Sequence, residues 1–501
     1  MADTASRQSE RAAVAATRRA VLARFLAEAS GAKSCEIIAL APLTGGAIQE
    51  NWGLDVRFSG GRLDGTQRLV LRAAGETGVP SSLDRLQEFA VLKAAFAAGV
   101  TVPEPLFASA DAAIFGKPFL IMRRAEGMAA AHRITRDPAL DPVRHAIAER
   151  LGRELARIHT IRPPRADLAF LTPSEQAGPA NQIAGFRRYL DSHPIPRPVL
   201  EWAIRWLETH IPPPAPPVLC HHDFRTGNYL LDGGELTGIL DWEFAGWGDP
   251  HEDIGWFCSK GWRFARLDRE AGGIADRAPF YHGYESASGR SVDPERVHFW
   301  EVLASVRWAV IALQQSDRHR LGGERSLDLA LTGRRAGECE LAILILLDPG
   351  GAAPANPLAV NSSVERPSPP QSAPPESDLP PASALLALAR DVLVNDLLPL
   401  LPPERQLDAR LVANCMAIAE REAGVDAQAQ GAIDRQLETL YRSAAGEPAP
   451  RRWHRFARDL RIGGFENSPE RAAHARAILW RLTIARVRLA NPRFLAANGF
   501  C

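Results

Sequence analysis

Lysine is almost missing from this chain of 501 residues: Lys33, Lys93, Lys117 and Lys260 stand against 55 arginines. Phosphate contacts can then fall to guanidinium, which is always charged and grips phosphate oxygens bidentately. Net charge is also missing, with 59 basic and 59 acidic residues, so nothing suggests a general attraction to nucleic acid or to an anionic membrane. No run of 18 apolar residues occurs, and no membrane span is expected. The six cysteines are scattered without a Cys-x-x-Cys pair. This disfavours a disulfide scaffold or a zinc site and favours a reducing, cytoplasmic setting. The first 30 residues have no secretory apolar stretch and carry Asp3, Glu10 and Glu28, so a helical leader is expected there rather than a targeting peptide. What remains is ordinary for a globular protein, with 46% hydrophobic and 24% charged residues. The length suits two or three domains.

One segment carries chemistry. Leu219-Cys220-His221-His222-Asp223-Phe224-Arg225-Thr226-Gly227-Asn228 is followed by Gly238-Ile239-Leu240-Asp241-Trp242-Glu243. Between Asn228 and Asp241 lie two short apolar runs split by Asp232-Gly233-Gly234, a hairpin signal. The hairpin would bring Asn228, before its first strand, to Asp241, after its second. Two hard oxygen ligands there suit a magnesium ion that keeps waters and shares oxygens with a nucleotide. Asp223, upstream on the same loop, is placed to accept a proton from an attacking hydroxyl. The bland alternative is that Asp223 and Asn228 are turn formers and the Gly-Gly break only a surface hairpin.

The spacing resembles the aminoglycoside phosphotransferase and choline kinase-like family, a branch of the protein-kinase-like fold. Its pattern, His-x-Asp, four residues, Asn, then an aliphatic run ending in Asp-Trp-Glu, is met by His221, Asp223, Asn228 and Asp241-Trp242-Glu243. The resemblance implies an ATP- and magnesium-dependent kinase acting on a small-molecule hydroxyl. Asp223 would be the base, Asn228 and Asp241 the metal ligands, and His221 a brace for the loop. Gly248-Asp249-Pro250-His251-Glu252-Asp253 also matches, and Asp253 would support the loop as a helix N-cap or as an acceptor behind it.

The remaining kinase parts are sought upstream. Strands are expected over 35–43, 51–58, 67–73 and 118–122. Thr44-Gly45-Gly46-Ala47 between the first two offers backbone N–H groups to a phosphate, and a plain hairpin turn explains it equally. In kinases the third strand carries the cation that holds the nucleotide phosphates; here that strand holds Arg72. A solvated strand arginine is the alternative. Residues 82–98 have a helical apolar period, with Glu88 in mid-helix as the expected partner of Arg72. The segment from Arg123 through Ala125 to Gly127 resembles the hinge whose backbone would meet an adenine edge.

The expected fold class is therefore α+β: a bilobal protein-kinase-like fold with a small antiparallel-sheet N-lobe and a mostly helical C-lobe, plus a linked small all-α C-terminal domain. The expected boundaries are 1–30 for the leader, 31–127 and 128–348 for the lobes, 349–382 for a proline-rich linker and 383–501 for the helical domain. His159 is expected to be a packed structural histidine. The last domain looks like a small uncharacterised domain found beside such kinases, in which Asn414, Arg421 and Glu422 would form a buried polar cluster and which offers a surface for a protein partner or self-association. Lys260, Arg263, Arg266 and Arg269 make either a solvated basic face or the wall for an anionic acceptor. The motifs look most like the branch fused to acyl-CoA dehydrogenases, which implies a hydroxyacyl-CoA acceptor. A nucleotide-binding pseudokinase or scaffold, and an aminoglycoside-modifying kinase, are the alternative functions.

Overall fold

Alternation of apolar and polar residues in the first third of the chain builds a five-stranded antiparallel sheet. Its strands are β1 (Ser34–Pro42), β2 (Glu50–Ser59), β3 (Gly65–Ala73), β4 (Pro105–Ser109) and β5 (Phe119–Arg123), in the order β1-β2-β3-β5-β4. The computed structural model describes residues 17–43, 50–75, 82–172, 178–264, 266–349, 351, 382–424, 427–441 and 447–500. Gly45 and Gly46, proposed above for phosphate contact, lie outside these residues, as do residues 352–381 of the proline-rich stretch.

On β3 the period of two sends Leu69, Leu71 and Ala73 into one buried layer with Leu54 and Val56 of β2 and with Leu22 and Leu26 of helix α1 (residues 17–30). Arg72 therefore projects from the opposite face and is buried there. Helix α2 (Arg85–Ala97) packs against β4 and β5. Asp84 caps it in a capping box with Gln87, so the helix begins at Arg85 and Glu88 falls in its first turn. The sequence placed Glu88 in mid-helix because apolar spacing marks a helix but not its cap. Strand β4 was not expected. Pro105 opens it, which an edge strand tolerates because one row of its N–H groups needs no partner.

The chain forms two compact units, residues 1–178 with 213–297, and residues 179–212 with 298–501. Besides the sheet, the first unit has two single-turn helices, α3 (Ala112–Phe115) between β4 and β5 and α4 (Ala131–Ile134) after β5, then α5 (Arg144–Ile158). A short ladder joins β6 (Val218–Cys220) to β9 (Gly246–Gly248), and a hairpin joins β7 (Tyr229–Asp232) to β8 (Glu235–Ile239). Gly233 and Gly234 turn that hairpin with φ of 56° and 94°, the two positive values a type I′ turn demands. Helices α8 (Pro250–Cys258) and α9 (Arg277–Ser288) complete the unit. Helices α5 and α9 cross at backbone contact. A Cβ on Gly152 would lie 2.1 Å from the Phe280 carbonyl oxygen, and one on Gly283 would lie 2.0 Å from that of Glu149. That approach carries Tyr284 of α9 to His159 at the end of α5.

The second unit is helical: α6 (Pro179–Ser192), α7 (Pro198–Thr209), most of α10 (Pro294–Arg320), α11 (Leu327–Arg334), α12 (Ala336–Leu347), α13 (Ala382–Val392), α14 (Pro403–Ala423), α15 (Ala427–Tyr441), α16 (Ala449–Arg461), α17 (Pro469–Ala490) and α18 (Pro492–Ala497). Leu200, Ile204, Val306, Leu341, Leu344, Phe456, Ile478 and Val487 share one core. Buried Glu340 meets Arg486 at 3.0 Å, and Arg461 grips Glu201 through two 2.9 Å bonds. The expected cluster of Asn414, Arg421 and Glu422 does not form. Asn414 is exposed, Glu422 pairs with Arg334 at the surface, and Arg421 donates to the Leu489 carbonyl at 2.7 Å. Asn414 and Arg421 share a side of α14 but stand about 10 Å apart along its axis, and Glu422 turns about 100° from Arg421, so sequence proximity did not bring the three together. Among the described residues no helix is long and apolar enough to cross a membrane.

Candidate active site

Strand β6 is fully buried, and the loop leaving it is fixed by one carboxylate. Asp253 Oδ2 accepts the His221 N–H at 2.7 Å, and its Oδ1 accepts the His222 N–H at 2.8 Å. Behind it, His159 Nε2 stands 3.3 Å from Asp253 and its Nδ1 stands 2.9 Å from the Tyr284 hydroxyl. Of the two roles open to Asp253, the structure shows the acceptor. The N-cap of α8 is Asp249, whose side chain accepts from the His251 N–H.

His221 is fully buried. Burial pushes its pKa down and keeps the ring neutral. Its Nε2 faces the Leu240 carbonyl at 2.8 Å and so must carry the proton, which leaves Nδ1 to accept the Asp223 N–H at 3.2 Å. The ring spans from the loop to the residue before Asp241, as a brace would.

Asp223 holds three donors. Oδ1 accepts from Arg225 Nε at 3.0 Å and from Trp256 Nε1 at 3.1 Å, and Oδ2 accepts from Asn228 Nδ2 at 2.6 Å. A carboxylate has about four acceptor sites, so the remaining one is on Oδ2. Asn228 Nδ2 also donates to the Asp223 carbonyl at 3.0 Å. With its amide nitrogen spent twice, its Oδ1 has no donor among the described residues.

The hairpin does what its sequence implied. Tyr229 pairs with Ile239, and one step further the Leu240 N–H donates to the Asn228 carbonyl at 2.8 Å. Asn228 and Asp241 thus stand at the open end. Asp241 adopts a left-handed backbone, φ 60° and ψ 58°, unusual for a residue with a Cβ. Its Oδ1 accepts from Arg72 Nη1 at 2.7 Å, and its side chain is 37% exposed. Burial raises the Asp241 pKa, but the Arg72 guanidinium outweighs it and the net shift is downward. Asn228 Oδ1 and Asp241 Oδ2 are hard oxygen donors of the kind magnesium takes.

Arg72 is buried, not solvated. Its Nε lies 3.1 Å from Glu88 Oε1, the expected ion pair. Burial disfavours its charge, yet Glu88, Asp241 and Glu243 together hold it protonated. In the segment resembling a hinge, the Arg123 N–H is spent on the Glu104 carbonyl, and the side chain binds Glu104 and Gln67. The Ala125 backbone has no hydrogen bond among the described residues, so of the two residues it is Ala125 that could present both backbone groups to a base edge.

Residues 41–300 match the sequence pattern described as the phosphotransferase enzyme family. The chain belongs to that family. Residues 399–494 match a domain of unknown function, DUF6285. The chain is 30% identical over 203 residues to acyl-CoA dehydrogenase family member 10 of Mus musculus, covering 39% of this chain and 18% of that protein. It is 30% identical over 179 residues to acyl-CoA dehydrogenase family member 11 of Gallus gallus, covering 34% and 22%. The chain thus spans about a fifth of the length of these relatives. A solved structure assigned as an aminoglycoside phosphotransferase from Ralstonia eutropha has 22% identity and a TM-score of 0.49, over 62% of this chain and 92% of that one. The fold is kinase-like, with an antiparallel N-terminal sheet followed by helices.

Sequence reasoning assigned no role to Arg225, Arg85 and Glu243, and placed Trp256 only among the aromatics of the helices expected to wall the acceptor pocket. Trp256 had a signal, since it lies three positions after Asp253 and so shares that helix face. Arg225 sits inside the motif, its guanidinium 4.7 Å over the Trp262 ring. The basic segment offered as an acceptor wall is largely committed elsewhere. Arg263 is buried and donates to the Cys258 carbonyl, Arg266 pairs with Asp268, and Arg269 reaches Asp141 and the Thr135 carbonyl.

Neutral burial of His159 gives the phosphotransferase a pH dependence. Burial lowers its pKa from the ordinary 6.5, so below that value the unfolded chain binds a proton the folded one refuses. Stability is complete above about pH 6.5 and falls as pH drops, by up to about 1.4 kcal/mol per unit until the folded pKa is reached. Melting temperature followed from pH 7.5 to 5.5 should decline, and His159→Gln should flatten that slope.

Proposed function

We propose that the chain transfers the γ-phosphate of ATP to a hydroxyl of a small molecule, with Asp223 as base, Asn228 and Asp241 as magnesium ligands and Arg72, oriented by Glu88, on the phosphates. The observation that carries this is the Asp223–Asn228 contact, which leaves one acceptor site on Oδ2 for a hydroxyl proton and leaves the Asn228 amide oxygen for a cation. Bound magnesium would neutralise charge on the phosphate oxygens as they part. Arg72 would supply a fixed positive charge from the sheet side, and Asp223 would take the hydroxyl proton at Oδ2. Arg225 and Trp256 would hold Oδ1 still.

Family membership supports ATP-dependent phosphate transfer to a small molecule. The acyl-CoA dehydrogenase names of the two relatives favour a hydroxyacyl-CoA acceptor. No basic wall of the 254–269 segment adds to that argument, since its arginines have partners. One observation favours the nucleotide-binding scaffold instead: Arg72 lies directly on Asp241, a proposed metal ligand. Magnesium dependence separates the two readings. The purified chain should consume ATP only with magnesium and add one phosphate mass to an acceptor in a panel of hydroxyacyl-CoAs, amino alcohols and aminoglycosides. Nucleotide binding that ignores magnesium, with no acceptor modified, would establish the scaffold.

A further inference from the structure

We infer that Arg85 and Glu243 are positioning residues for Arg72, closing a buried ring of four charges that a lysine at position 72 could not complete. This rests on the phosphotransferase reading above and deepens it. Glu88 faces both guanidinium groups, with Oε1 3.1 Å from Arg72 Nε and Oε2 2.5 Å from Arg85 Nη1. Glu243 does the same from the other side, with Oε1 3.9 Å from Arg72 Nη2 and Oε2 3.5 Å from Arg85 Nη2. The four side chains are 3–7% exposed.

The ring is neutral, two positive and two negative charges, and it ties three parts of the fold: β3, the first turn of α2 and the turn after β8. Asp241 stands outside it as a third, more exposed carboxylate. Arg72 thus turns Nε to Glu88, while Nη2 faces Glu243 at ion-pair distance without a hydrogen bond and Nη1 alone reaches Asp241. A lysine has one nitrogen and could not hold two buried glutamates while reaching outward. This accounts for arginine at a position where kinases carry lysine. Arg85 shares both glutamates, and without it two buried carboxylates would compete for one guanidinium and draw it inward. Its Nη2 is further held by the Leu83 carbonyl at 3.1 Å.

The test is binding of magnesium-ADP by titration calorimetry, with melting temperature measured on each protein. Arg85→Met alone leaves an uncompensated buried charge, so it is paired with Arg85→Met/Glu243→Gln, which removes one charge of each sign, and with the conservative Arg85→Lys. The double variant should melt near wild type yet bind magnesium-ADP at least about tenfold more weakly. Arg85→Lys should fall between the two. Arg72→Lys should lose binding in the native ring and regain part of it when Glu243→Gln removes the carboxylate it cannot reach. A double variant that binds as the wild type does, within about twofold, would show the ring to be packing alone and overturn the inference. Wild-type protein that fails to bind magnesium-ADP would overturn the phosphotransferase reading and the inference with it.

Discussion

Asp223→Ala is expected to slow phosphate transfer by about 10²–10⁴-fold, the usual contribution of a general base, while magnesium-nucleotide binding changes much less. Alanine removes the proton acceptor but leaves the Asn228 amide free to keep its bond to the residue-223 carbonyl, 3.0 Å away. Asp223→Asn, commonly the gentler change, should be worse for binding. Trp256 and Arg225 both donate to Oδ1 and would fix the new carbonyl oxygen there, forcing the new NH2 group against Asn228 Nδ2 at the 2.6 Å contact. Two donors cannot share that distance. Asn228 would turn its amide over, and its Oδ1 would leave the position proposed for magnesium. Single-turnover rates and calorimetric magnesium-ADP titrations on both variants separate the effects. Equal nucleotide affinity in the two would show that the Asn228 amide does not serve the metal.

The parts of this site legible in the sequence are those fixed by short-range geometry. A Gly-Gly turn between apolar runs dictates a two-residue hairpin with Asn228 and Asp241 near its open end, but that turn alone would set Asn228 opposite Ile239; an extra residue at Thr237 shifts the register so that Asn228 meets Leu240. Arg72 could be placed because β3 alternates, and alternation decides which face a residue takes. The charge ring was not legible, because Arg85, Glu88 and Glu243 meet only when α2, β3 and the turn after β8 are brought together. Helix capping hid part of it: the Asp84 cap moves Glu88 into the first turn and so brings Arg85 beside it. The basic stretch 260–269 misled for the converse reason. Local charge density says nothing about partners such as Asp141, which is 128 residues from Arg269 in the chain. Likewise Asn414, Arg421 and Glu422 recur at helical spacing, yet α14 turns them to different neighbours.

The second large effect is expected at Asp253, which touches neither the proposed base nor the proposed metal ligands. Its two oxygens face three donors, the His221 and His222 N–H groups and His159 Nε2. It is fully buried; that burial works against its charge, but the His159 bond holds its pKa below the ordinary carboxylate value. Asn at this position offers one acceptor and one donor group. Whichever way it turns, its NH2 meets a backbone N–H less than 3 Å off, and one buried donor loses its partner. The cost should be about 2–4 kcal/mol, the range for an unsatisfied buried group beside a lost charge-assisted bond. The loop would yield first where its backbone is already strained, at His222 with φ 60°. Releasing that turn shifts Asp223 relative to Asn228, so transfer should fall together with stability. A variant carrying both Asp253→Asn and His159→Asn removes the imidazole but not the clash with the loop N–H groups, and so should not recover activity. Recovery in that pair, read from melting temperature and turnover together, would mean that Asp253 serves to hold His159, and that the loop is kept in place by β6 and β9 alone.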